Sequence, residues 1–207
     1  GKSSLKMSQL AARNQVAAAL ASSLSLREVL DEVMRCAIAF THSRASCIAF
    51  FDQTEGLFKE WVTQGLSGEF ISRMEFRCGG LADEAFTSGD YVLSNDLPGT
   101  RHQLSQLARE EDIRSFVCLP LTFHDQPLGV LYVYRDDRDD FHPDEIELLT
   151  TFANLAAGAI NNARLHARMT DLASMDGLTG LYNRRTFDER LTIEAVRCTR
   201  YQNRYSI

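Results

Sequence analysis

The sequence predicts an α/β domain of the α+β kind: a central antiparallel sheet flanked by helices, with long coiled-coil helices at the N- and C-terminal ends. Three observations carry this. Two pairs of strand-like runs, residues 45–52 with 57–64 and 115–123 with 128–134, are each joined by a short turn, so neighbours in the sheet run antiparallel. Ahead of them, Leu26, Val29, Leu30, Val33, Ala37 and Ile38 recur at helical spacing. After them, Leu148, Leu155, Asn162 and Met169 stand seven residues apart, the repeat of a coiled-coil seam.

Taken in order, residues 4–21 are rich in Ala, Ser, Gln and Leu without Pro or Gly, and propensity alone favours a helix there. The serines at 22–25 break that run, and the stripe from Leu26 forms a second helix whose apolar side covers a sheet. The first hairpin turns at Gln53-Thr54-Glu55-Gly56, and the second at His124-Asp125-Gln126-Pro127. A shorter strand is expected over residues 91–97. In the second hairpin both alternation phases are apolar, Phe116 and Cys118 on one side and Val117, Leu119 and Leu121 on the other, so the sheet is covered on both faces. Pro143, Asp144 and Glu145 then open a helix that runs to Ser174, with residues suited to a first turn.

Composition narrows the class of function. With 44% hydrophobic and 24% charged residues in 207, the chain can bury one substantial core and has no room for two complete enzymes. A net charge of -6 without a basic stripe argues against nucleic acid as a partner. No run is long and apolar enough for a membrane span. Cys36, Cys47, Cys78, Cys118 and Cys198 form no CxxC pair, which suits reduced thiols and a cytoplasmic location. The chain opens Gly1-Lys2-Ser3-Ser4 without Met or a signal-peptide core, which reads as a processed end. The acidic run from Arg135 to Asp140 lacks the alternating ligands of a calcium loop and reads as a solvated connection. No metal site is expected.

Residues 112–121, Asp-Ile-Arg-Ser-Phe-Val-Cys-Leu-Pro-Leu, followed by Leu128-Gly129-Val130-Leu131, Phe141, Asp144-Glu145, Leu148-Leu149, Ala153, Ala156, Ala159 and Asn162-Ala163, resemble a GAF domain over about residues 24–165. The resemblance implies a sensor with a cavity between the sheet and the helices on one face. Candidate lining residues are Trp61, Phe76, Asp96, Arg101, Ile113, Arg114, Ser115, Phe116 and Tyr132. For Trp61 and Phe76 the competing reading is plain core, and for Arg114 it is a pair with Asp112 or Asp96. The effector is not legible. The cyclic-nucleotide motif of the family is missing, Cys78 is followed by Gly79-Gly80 where bilin attachment usually has His, and the five histidines sit in loop or helix-surface contexts unsuited to haem. Cys78 and Cys118 do not match the cysteine spacing of the methionine sulfoxide reductases built on this fold.

The run Asp176-Gly-Leu-Thr-Gly-Leu-Tyr-Asn-Arg-Arg resembles the opening motif of GGDEF domains, which make cyclic di-GMP. Asp176, Leu178, Thr179, Gly180, Leu181, Asn183, Arg184 and Arg185 carry the match in a structural role, with Asp176 paired to the arginines across the turn. The resemblance implies a diguanylate cyclase joining two GTP, one per subunit, with Mg2+ or Mn2+ held by carboxylates. Those carboxylates and the guanine-reading residues fall beyond Ile207, so no catalytic residue is expected in this chain. The implied plan is an N-terminal helix over residues 1–23, a GAF sensor over 24–164, a signalling helix over 165–175 and the start of a truncated GGDEF domain over 176–207. A homodimer is expected, with Leu155, Asn162, Leu165, Met169 and Leu172 in its seam. The alternative is a degenerate GGDEF domain, leaving a cyclic di-GMP receptor or scaffold with no turnover.

Overall fold

The computed structural model describes residues 25–74, 80–96, 104–137 and 140–174, together with Asn14 and parts of 179–194. The expected helix over residues 4–21 lies outside the described residues apart from Asn14. The chain divides into two compact units, Gly1–Asn161 and Asn162–Ile207.

Helix α1 (Leu26–Phe40) starts at a capping box. Ser25 Oγ accepts the Glu28 N–H at 3.4 Å while the Glu28 carboxylate accepts the Ser25 N–H at 2.7 Å. Two of the helix's otherwise unpaired N–H groups are thereby satisfied, which explains why the serine-rich break ends there. Strands β1 (Ala45–Asp52) and β2 (Leu57–Gln64) form the first hairpin, and short helices α2 (Gly68–Arg73) and α3 (Leu81–Ser88) follow. Next come β3 (Val92–Ser94), α4 (Leu104–Glu110), β4 (Ser115–Phe123) and β5 (Gln126–Arg135), then the 32-residue helix α5 (Pro143–Ser174).

The five strands form one sheet in the order β2-β1-β5-β4-β3. Every neighbouring pair is antiparallel. The second hairpin turns more tightly than its composition suggests. His124 and Asp125 alone make the turn, with φ of 46° and 61°, and Gln126 and Pro127 already pair with Phe123 and Thr122. Positive φ at both central residues matches the strands' own twist. Pro127, which has no N–H to give, sits beside the register shift at Leu121 and Thr122, where a ladder tolerates it. Gly129 is required by closeness: a Cβ there would stand 2.3 Å from the Ala49 carbonyl oxygen. Strand β3 is shorter than the expected 91–97, because this edge strand pairs with β4 only from Val92 to Ser94.

Both faces of the sheet are buried, as the double apolar phase of β4 requires. One core joins Val117, Leu119 and Leu121 of β4 and Leu131 and Val133 of β5 to α1 and α5. Leu30, Val33, Met34, Leu149, Phe152 and Ala156 reach it from those helices. At roughly 25 cal/mol per Å2 of apolar surface removed from water, the Val, Leu, Met and Phe side chains among them contribute about 1.5–3 kcal/mol each. The second core lies on the opposite face under α2, α3 and α4.

Arg135 departs from the expected solvated connection. Its side chain is 6% exposed, paired with Glu145, which is itself the third residue of α5. A guanidinium also donates to the Thr41 carbonyl at 2.7 Å and the Asp140 carbonyl at 3.2 Å, and lies 4.0 Å from the centre of the Phe141 ring. A charge withdrawn from water needs such partners. Asp136 and Asp137, next in the run, are exposed.

In the second unit, Asn162, Leu165 and Met169 of α5 are exposed, Leu165 by 43% and Met169 by 63%. Asn183 Oδ1 accepts the Thr186 N–H at 3.0 Å, and the Phe187 N–H reaches the Asn183 carbonyl at 2.9 Å. Asn183 is therefore the N-cap of the helical segment that begins at Arg184. Leu181, Tyr182, Phe187 and Ile193 are exposed. Among the described residues no helix is long and apolar enough to cross a membrane.

Candidate functional site

The face of the sheet under α2, α3 and α4 has an aromatic and sulfur-bearing floor. Strand register sets it out in rows, since residues paired across an antiparallel ladder share a face. Cys47 of β1, Tyr132 of β5 and Cys118 of β4 form one row, and Ala45, Tyr134 and Phe116 form the next. Tyr132 and Tyr134, two apart on β5, stack with ring centres 5.7 Å apart and planes within 2°. Phe70 of α2 meets Tyr134 edge-on at 6.1 Å, and Phe116 tilts against Tyr132 at 6.2 Å. Ala82 and Ala85 of α3, Leu107 and Ala108 of α4, and Met74 complete the cover.

Burial governs the chemistry of this floor. It pushes the Cys118 thiol up to about 12, against the smaller opposing effect of a hydrogen bond with Tyr132. It also raises Cys47 and both tyrosines well above their ordinary values. A thiol held protonated and fully enclosed is a poor nucleophile. The floor is therefore built for packing and contact, and a catalytic cysteine at Cys118 would need an environment this face does not provide.

The residues singled out from sequence distribute unevenly. Ile113, Phe116 and Tyr132 come together in this core, and Trp61 packs half-buried against it. Ser115 lies on the other face: it shares a strand phase with Val117 and Leu119, beneath the long helices, and its Oγ is buried without a hydrogen-bond partner among the described residues. Arg114 is exposed and pairs with Asp112 at 3.0 Å, as its local carboxylate suggested. Asp96 is exposed. Phe76 and Arg101 lie outside the described residues, as do Asp176, Leu178, Gly180 and Arg185. Thr179, Leu181 and Arg184 are exposed. Leu155 packs partly buried against the first core, while the side chain of Leu172 is also outside the described residues.

Tyr134, Cys47 and Phe70 belong to the floor and were not read from the sequence as such. Tyr134 could have been found from its two-residue spacing to Tyr132, whereas Phe70 becomes a neighbour only through tertiary packing. An open hollow of about 360 Å3 beside α3 is lined by Gly80, Asp83, Glu84, Thr87 and Ser88. Among the described residues, no group of three or more His, Cys, Asp or Glu could hold a metal ion.

An antiparallel sheet in this order, with terminal helices on one face and short helices over an enclosed floor on the other, defines a small sensor-type α+β domain. The GAF domain family is matched over residues 23–161, and the chain belongs to it. Its fold is similar to the GAF domain of a phosphoenolpyruvate-protein phosphotransferase from Coxiella burnetii, at 21% identity over 78% of this chain and 98% of that one, with a TM-score of 0.69. It is also similar to the free methionine-R-sulfoxide reductase of Neisseria meningitidis, at 15% identity, 74% and 89% coverage and a TM-score of 0.61. A Synechocystis GAF domain in its photoproduct state matches at 17% identity, 70% and 99% coverage and a TM-score of 0.57. At these identities the likeness is one of fold. No curated protein matches the sequence.

Proposed function

We propose that this chain is a non-catalytic GAF regulatory module that receives a small-molecule effector beside the Tyr132 and Tyr134 floor and acts on a GGDEF-like unit through α5. The observation that carries this reading is the helix itself. Its first turn is held to the sensor sheet by the Arg135–Glu145 pair, and the same helix continues without a break to Ser174. Kinship with GAF domains supports regulation or scaffolding as the chain's own work. On this reading the downstream unit is a cyclic di-GMP receptor or scaffold, the protein is cytoplasmic, and it works as a homodimer.

The second reading is control of an active diguanylate cyclase using GTP with Mg2+ or Mn2+. It is favoured by the run Asp176 to Arg185, in which Asn183 caps the segment that follows. Incubating residues 1–207 and the full-length protein with GTP and Mg2+, and titrating both with cyclic di-GMP, separates the two. The receptor reading expects no product from either and binding by the full-length protein. Product from the full-length protein alone establishes the cyclase, and product from residues 1–207 contradicts both.

A further inference from the structure

The ladder between β3 and β4 ends at the pair Ser94 and Phe116. One residue past that pair stand Asn95 and Ser115, and β5 sets Arg135 opposite Ser115. Alternation along the strands puts Ser115 in phase with Val117, and Asn95 in phase with Leu93, the partner of Val117. Val117 belongs to the core under α1 and α5. Asn95, Ser115 and Arg135 therefore form one polar row on that face, at the end where the chain passes from β5 into α5.

Two oxygens of this row are unmet. Ser115 is 0% exposed and Asn95 Oδ1 is buried, yet neither Ser115 Oγ nor Asn95 Oδ1 has a hydrogen-bond partner among the described residues. No other buried side-chain nitrogen or oxygen among the described residues is in that state. A buried polar atom without a partner is costly, so each such atom calls for a cause. Turning the amide over does not supply one. Asn95 Nδ2 donates to the Asp140 carboxylate, and a flipped amide would set its oxygen against that carboxylate instead. Arg135 is engaged elsewhere: Nη1 donates to the Asp140 carbonyl, and Nη2 to the Thr41 carbonyl and the Glu145 carboxylate.

We propose that Asn95 Oδ1 and Ser115 Oγ are the two sides of a binding site for one buried water molecule, which donates a hydrogen bond to the amide oxygen and accepts one from the hydroxyl. Facing residues of an antiparallel pair stand about 4.5–5.5 Å apart at Cα, and oxygens that do not meet directly across such a gap are the usual partners of an enclosed water. The water adds one rung to the β3–β4 ladder past its last backbone pair. Through Asn95 and Asp140 that rung is tied to the segment that leads into α5. A monovalent cation would also take oxygen ligands, but the Arg135 guanidinium in the same row opposes a second positive charge there. The site rests on neither reading of the downstream unit, and its test needs no effector.

A high-resolution crystal structure of the full chain tests the site directly. The expected result is one water at ~2.7–3.2 Å from both Asn95 Oδ1 and Ser115 Oγ. A direct bond between the two side chains, no density between them, or a metal ion there overturns the proposal. Urea denaturation tests it in solution, because a bridged hydroxyl and a dry one respond to deletion with opposite signs. Ser115→Ala is expected to lower the midpoint by ~0.5 M, since it leaves Asn95 Oδ1 and the water short of a partner. Removing a dry, unpartnered hydroxyl would raise it. In an Asn95→Ala background, where the bridge is already broken, the same substitution should cost about half as much or less. A raised or unchanged midpoint for Ser115→Ala, or an equal fall in both backgrounds, overturns the bridge.

Discussion

Arg135 joins three parts of the sensor: the strand that carries Tyr132 and Tyr134, the end of α1 at Thr41, and the first turn of α5 at Glu145. Glu145 also accepts the His142 N–H at 2.8 Å, so the same carboxylate caps α5 and neutralises the buried guanidinium. Removing one partner of such a pair leaves the other charge enclosed and uncompensated. Arg135→Met should therefore lower the unfolding free energy by ~3 kcal/mol, and Arg135→Met with Glu145→Met together should recover a large part of it. Urea denaturation of the three proteins measures this; equal losses in single and double variants would show that the pair is not the source. The sequence hid the pair because Arg135 leads into a charged run whose next residues, Asp136 and Asp137, are exposed. Ser115 hid its side of the sheet for a different reason. Its phase follows from the alternation of Ser115, Val117 and Leu119 along the strand, but with both faces apolar that alternation does not say which face the terminal helices cover.

At the scale of elements, the long strands and helices were legible because burial writes a period into them. β1, β2, β4 and α5 match the residues expected, and α1 begins where its serine cap stands. β3 was overextended because an edge strand is delimited by its partner, and Tyr91 and Leu93 remain 40% and 38% exposed. The covering helices α2, α3 and α4 are too short for periodicity to mark them. In α5 one heptad stripe serves two purposes: Leu148 and Leu155 pack in the first core, while Leu165 and Met169 are exposed further along. If that exposed part pairs with a second copy, Leu165→Lys with Met169→Lys should convert a dimer to a monomer by light scattering. The circular dichroism spectrum should be unchanged, because neither side chain supports the GAF core. A variant that remains dimeric would place the main contact elsewhere.

For the whole molecule, the proposed signal route runs from the floor under the short helices, through β5 and Arg135, into a helix of 32 residues. A helix conveys rotation as well as displacement, since each added residue turns everything after it by about 100° and advances it about 1.5 Å. Seven residues restore the phase of a coiled-coil seam. The GAF part of this plan was legible because its motif residues are mainly those that build the sheet and the start of α5. The cover of the floor was not, because it is gathered from separate short elements.

The most direct measurement of this route is the output of the full-length protein with one Ala inserted after His166, compared with a seven-residue insertion at the same place. The output is cyclic di-GMP synthesis if the protein turns over GTP and cyclic di-GMP affinity if it does not. A rigid helical connection predicts that the single residue shifts basal output by ~10-fold or more, and that the seven-residue insertion returns it close to wild type. Equal output from the two insertions would contradict transmission through α5 and make residues 162–174 a simple tether.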